Sequence, residues 1–169
     1  MKFTIYYKSS VSKKTSNASM EKVIKSLETV LTKKIKQNPH FDGVKDVQMT
    51  LTLCGKAKIK ALNKEYRNKD KVTDVLSFPL YDDLRPDHKV KEKNFEIMDL
   101  GDLVICKEKA ISQSKEFNVT YEQEVIHLAV HGFLHLIGFD HEISEKEEKI
   151  MEAHENEIVG EIYKVLKKI

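Results

Sequence analysis

The chain has 169 residues, 40% of them hydrophobic, with 29 basic and 27 acidic side chains and a net charge of +2. That is enough apolar material for one core without disulfide or metal staples, and the length suits one domain spanning 1–169. No run approaches the length of a membrane-spanning helix. The opening MKFTIYYKSSVSKK is too briefly apolar for a signal peptide, so a cytoplasmic protein with no membrane role is expected. Cys54 and Cys106 each end an apolar run, and two cysteines without a paired spacing read as small core residues. Charge is unevenly spread. Residues 1–71 carry 17 basic against 6 acidic side chains, and residues 72–169 carry 12 against 21. A basic face would attract a polyanion, and two solvated faces would serve no partner.

KFTIYY (2–7) alternates like a strand. Residues 18–36 place Met20, Val23, Ile24, Leu27, Val30, Leu31 and Ile35 at helical spacing, and Asn38-Pro39 stops that helix. VQMTLTLC (47–54) reads as a strand with one buried face. A helix over 56–67 carries an apolar stripe of Ile59, Leu62 and Tyr66 and a basic stripe of Lys56, Lys60, Lys64 and Arg67. TDVLSFPL (73–80) is a strand ended by Pro79. The charged segment 81–94 is long for a connection and reads as a mobile flap or hairpin. DLVIC (102–106) is a strand after a break at Gly101, and residues 107–117 form a short helix. Thr120 and Gln123 form a capping-box pair ahead of a strongly apolar helix, 121–137, ended by Gly138. Ser144 and Glu147 repeat that signal before a final helix to about residue 167. The predicted order is β-α-β-α-β-β-α-α-α. The expected fold is α/β: one small mixed β-sheet of about four strands with a central, buried helix carrying metal-binding histidines.

Four of the seven histidines fall within residues 127–141. His127, His131 and His135 recur every four residues on a helix that is otherwise apolar nearly all round, and buried imidazoles need partners. A zinc ion is such a partner, because histidines at i and i+4 reach a common ion at about 2 Å. His127 and His135 are separated by a rise of roughly 12 Å and cannot both bind it. Gly138 permits a tight turn, and His141 follows three residues later. The spacing thus favours His131, His135 and His141 as ligands, with His127 a helper in the core. Three imidazoles leave a position open for water, which points to a catalytic metal; zinc is expected, although imidazoles also suit nickel, copper and iron. HGFLHLIGFDH matches the metzincin spacing, yet Gly132 stands where those proteases carry a glutamate base.

HLAVHGFLHLIGFDHE resembles the signature of the bacterial YbeY family. ALNKEYRNKDKVTDVLSFP (61–79), LGDLVIC (100–106) and the pair Met151 and Glu155 fit the same family, so the resemblance covers roughly residues 47–160. Val72 departs from the proline usual before Thr-Asp-Val-Leu-Ser-Phe. The resemblance implies a single-strand-specific metallo-endoribonuclease of ribosomal RNA, acting in 16S 3′-end maturation and ribosome quality control. It implies zinc on His131, His135 and His141, catalytic roles for His131 and Arg67, and work on ribosomal subunits, with ribosomal proteins or a ribosome-associated GTPase as further partners. Arg67 also stands out unaided, since the chain has 27 lysines and only two arginines, and a planar fork suits phosphate; a structural pair with Asp70 or Asp74 is the plainer alternative. Asp140, Asp102 and Asp74 are candidate bases, His127 a buried helper. Water and the ribose 2′-hydroxyl both remain open as nucleophiles. A peptide hydrolase and a ribosome-assembly factor with a structural metal are the rival readings.

Overall fold

The computed structural model describes residues 1–11, 17–89 and 95–168. Strand β1 (Lys2–Ser9), helix α1 (Asn17–Lys36), β2 (Asp46–Cys54), α2 (Lys56–Arg67), β3 (Val75–Pro79), β4 (Ile97–Cys106), α3 (Lys107–Glu116), α4 (Tyr121–Leu136) and α5 (Glu145–Leu166) follow in the predicted order. A 3-10 turn, Pro39–Phe41, stops α1; the Asn38 side chain accepts from His40 N, and Phe41 is buried. The strands form one mixed sheet in the order β1-β2-β4-β3, with β1, β2 and β4 parallel and β3 antiparallel to β4. Among the described residues no helix is long and apolar enough to cross a membrane.

Alternation along the strands sends Phe3, Ile5, Val47, Met49, Leu51 and Leu53 to the main core, shared with α1, α4 and α5. The other face carries Cys54, Leu76, Val104 and Cys106 beneath Ile59 of α2, so both cysteines are core residues as expected. Val72, the departure from the family pattern, packs against this second cluster.

Gly101 does not break the chain before a strand; β4 begins at Ile97 and runs through it. Val47 pairs with Met98 but Leu51 with Leu103, so β4 holds one extra residue there. This bulge moves the core positions from Met98 and Leu100 to Leu103 and Ile105. Gly101 has φ +115, and a Cβ on it would lie 2.0 Å from the Phe78 carbonyl oxygen, so only glycine fits.

The connection expected to be a flap over 81–94 joins the antiparallel strands β3 and β4, and its described part, 81–89, is anchored. Leu84 is fully buried. Its N–H donates to Ile137 O at 2.9 Å, and its carbonyl accepts from Asn38 Nδ2 at 2.8 Å. Arg85 grips Asp83 with Nε and Nη2 at 3.0 and 2.9 Å and reaches Glu147 at 3.0 Å. Residues 90–94 lie outside the described residues.

Candidate metal centre and cleft

Helix α4 starts on a full capping box, with Thr120 accepting from Gln123 N and the Gln123 side chain accepting from Thr120 N. Its buried residues include Val125, Ile126, Ala129, Val130 and Phe133, which packs edge-on against Phe3 at 5.9 Å. At the other end, Phe139 N donates to Leu134 O and Gly138 N to His135 O, the two bonds of a Schellman turn, with Gly138 at φ +102. That turn folds the chain back so that His141 meets His131 and His135.

The three rings lie with centroids 4.8, 5.2 and 5.2 Å apart. One nitrogen from each lies within 4.8 Å of the others, a grouping that can hold a metal ion. The donor chemistry fits one. Glu155 Oε1, from α5, lies 3.2 Å from His131 Nδ1, where it can accept a hydrogen bond from Nδ1–H and so favour the tautomer whose Nε2 lone pair faces the cluster. His131 Nε2 and His135 Nε2 sit 3.2 Å apart, a poor arrangement for two lone pairs and a good one for two ligands of one cation. Burial first, then His131 and His141, hold the His135 imidazole down to about 4, so it is a neutral donor at neutral pH.

The histidines line an open cleft of about 820 Å³ that also takes in Tyr66, Arg67, Asp74, Phe78, Asp140 and Ile143. Arg67 is the last residue of α2, which ends on Asn68 in the left-handed region at φ 54. Its guanidinium lies 3.7 Å from Glu142 across an exposed pair. The plainer alternative for Arg67 does not hold. Asp70 pairs instead with Lys60 and Lys64, and Asp74 accepts from Gln113 and from Val75 N. Gly132 also has a structural cause: a Cβ there would lie 2.7 Å from Leu103 Cδ2, so this face of α4 is pressed on the sheet and any larger residue would have to displace the buried Leu103 side chain.

The family model described as endoribonuclease YbeY matches residues 7–163. The chain belongs to that family. A relative from Thermoanaerobacter sp. (strain X514), named endoribonuclease YbeY, is 40% identical over 141 residues, covering 81% of this chain and 88% of its own. One of the same name from Staphylococcus carnosus is 43% identical over 110 residues, covering 63% and 66%. The solution structure of a Thermotoga maritima protein superposes with a TM-score of 0.63 at 27% identity, covering 98% of this chain and 93% of that one. The YbeY match extends well before residue 47, where the recognisable motifs begin.

The remaining candidates separate clearly in this YbeY-family chain. Asp140 lines the cleft, and its Oδ1 accepts from Glu142 N at 2.8 Å, shaping the loop that carries His141. Asp74 lines it too; burial works to raise its carboxyl, but hydrogen bonds from Gln113 and the backbone prevail and hold it below the usual range. Asp102 is exposed and is not among the residues lining the cleft. His127 is not the buried helper expected: its side chain is 47% exposed, with Glu155 at 3.9 Å. Sequence reasoning noticed Glu155 only as a motif match and assigned it no task. Its signal was weak, because the acid that orients a histidine comes from a helix far along the chain.

Proposed function

We propose that this chain is a zinc-dependent endoribonuclease that cuts single-stranded ribosomal RNA during 16S 3′-end maturation and ribosome quality control. The observation that carries the reading is the meeting of three imidazoles, close enough to share one ion, with the guanidinium of Arg67 in one open cleft, where only an exposed Glu142 pairs with it among the described residues, in a family whose relatives are named endoribonucleases. His131, His135 and His141 would hold the ion. When bound, it supplies Lewis-acid polarisation of a phosphoryl oxygen and a water of lowered pKa. Glu155 keeps His131 in the donating tautomer. Arg67 binds a phosphate oxygen and steadies charge as it develops. Of the candidate bases, Asp140 and Asp74 line the cleft, with Asp74 the weaker acceptor because its hydrogen bonds hold its carboxyl below the usual range, and Asp102 is set aside. The whole chain acts as one such domain, in the cytoplasm, on ribosomal subunits, with ribosomal proteins or a ribosome-associated GTPase guiding it to its site.

Gly132 weighs against the peptidase alternative, because it has no group to move a proton and a larger residue there would have to displace the Leu103 side chain. The test is cleavage of a single-stranded ribosomal RNA fragment by wild type, His131→Ala and Arg67→Ala, each checked for folding by circular dichroism. Cleavage lost in both folded variants supports the reading. Equal cleavage by all three would be contaminating nuclease and would leave a ribosome-assembly factor with a structural metal.

A further inference from the structure

The apolar stripe of α2 runs out of the core. Ile59 is fully buried, Leu62 half-buried, and Tyr66 is 61% exposed. Its ring is nevertheless held, meeting Phe78 with centroids 5.1 Å apart at 72°. Both rings line the cleft that contains the histidines, as does Ile143, itself 66% exposed. Other exposed apolar residues, such as Phe117 and Val119, lie outside that lining. Tyr66 and Arg67 are consecutive, and the left-handed Asn68 ends the helix directly after them. An aromatic face and a guanidinium are therefore presented side by side.

A single-stranded polynucleotide offers the two complements, a flat base and an anionic phosphate, at the same short spacing along its chain. Aromatic rings stack unpaired bases whatever their sequence, and a ring already braced by a neighbour has little freedom left to lose. Charge around the site is mixed: Lys56, Lys60 and Lys64 lie on the same helix as Arg67 but outside the cleft lining, and Asp70 pairs with the last two. A protein partner would want a broader apolar surface than this mixed cleft, which also carries Asp74, Asp82 and Asp140.

We propose that Tyr66, braced edge-on by Phe78, is a stacking platform for one unpaired base of a strand whose phosphate is held at Arg67. This rests on the endoribonuclease reading and adds a residue that selects unpaired over paired nucleic acid. The chain contains no tryptophan, so Tyr66→Trp places a single reporter at the platform. The metal-loaded variant is titrated with a single-stranded deoxyribo-oligonucleotide and with an abasic strand of equal length and charge. Tyr66→Ala and Tyr66→Phe are titrated alongside by anisotropy. Expected are strong quenching by the base-bearing strand and little by the abasic one. Tyr66→Ala should bind the base-bearing strand about tenfold more weakly and the abasic strand unchanged, while Tyr66→Phe binds both like wild type. Equal response to both strands, or Tyr66→Ala binding both like wild type, overturns the platform. The two readings fail separately: quenching without RNA cleavage by wild type leaves the platform and sinks the nuclease, and cleavage without base-dependent quenching does the reverse.

Discussion

Replacing Glu155 by alanine should weaken zinc binding without touching a ligand. The carboxylate is buried, lies 3.2 Å from His131 Nδ1, and is the group that fixes that ring's tautomer and aim. Its loss leaves the Nδ1–H without an acceptor and lets the ring swing or donate its proton the other way. Orienting partners of this kind contribute about 10–100-fold in metal affinity, or roughly 1.4–2.7 kcal/mol. Glu155→Gln retains an acceptor oxygen but loses the charge, so it should fall at the low end, near tenfold. The assay is competition for zinc against a chromophoric chelator at pH 7, with thermal unfolding of the metal-free proteins to separate affinity from folding. Zinc affinity within twofold of wild type for both variants, while folded His131→Ala loses the ion, would refute the argument.

Gly101→Ala should destabilise the fold by more than about 3 kcal/mol, because the added Cβ meets the Phe78 carbonyl and the backbone is strained; urea unfolding midpoints measure it. Gly132→Glu, which rebuilds the metzincin pattern, should yield no peptidase activity and lose stability, since even its Cβ collides with Leu103; a peptide-substrate assay and a melting curve check both halves. The metal-free protein should weaken as pH falls from about 6.5 to about 4. The unfolded chain protonates His135 near the upper value and the folded chain only near the lower, so stability is full above this window and declines through it. Urea midpoints at several pH values across the window report that slope, and a flat profile contradicts it.

Periodicity and capping were legible in the sequence because they are local. The helices appeared within a residue or two of their predicted limits, since Thr120 with Gln123, Gly138 and Asn38-Pro39 are signals carried by neighbours. The histidine group was legible for the same reason: i, i+4 and one glycine turn define it. What was hidden depends on distant partners. The Gly101 bulge shifts the alternation of β4 by one residue, so each half looks like a separate short strand. The segment after Pro79 reads as free because its anchors, Ile137 and Asn38, lie far away in sequence. Ser144 accepts from Glu147 N, yet the Glu147 carboxylate is taken by Arg85, so the second capping box is only half made. Tyr66 fitted a core stripe by spacing, and only the end of the sheet above it decides that the ring lies in the cleft.

The most direct measurement is cleavage of a single-stranded ribosomal RNA fragment by chelator-stripped protein as zinc is added back. We expect no cleavage at the start, a linear rise, and a sharp break near one equivalent of zinc per chain, absent in folded His135→Ala. Cleavage that is complete before any zinc is added, or that never returns at one equivalent in a folded protein, would contradict a zinc-dependent nuclease at His131, His135 and His141.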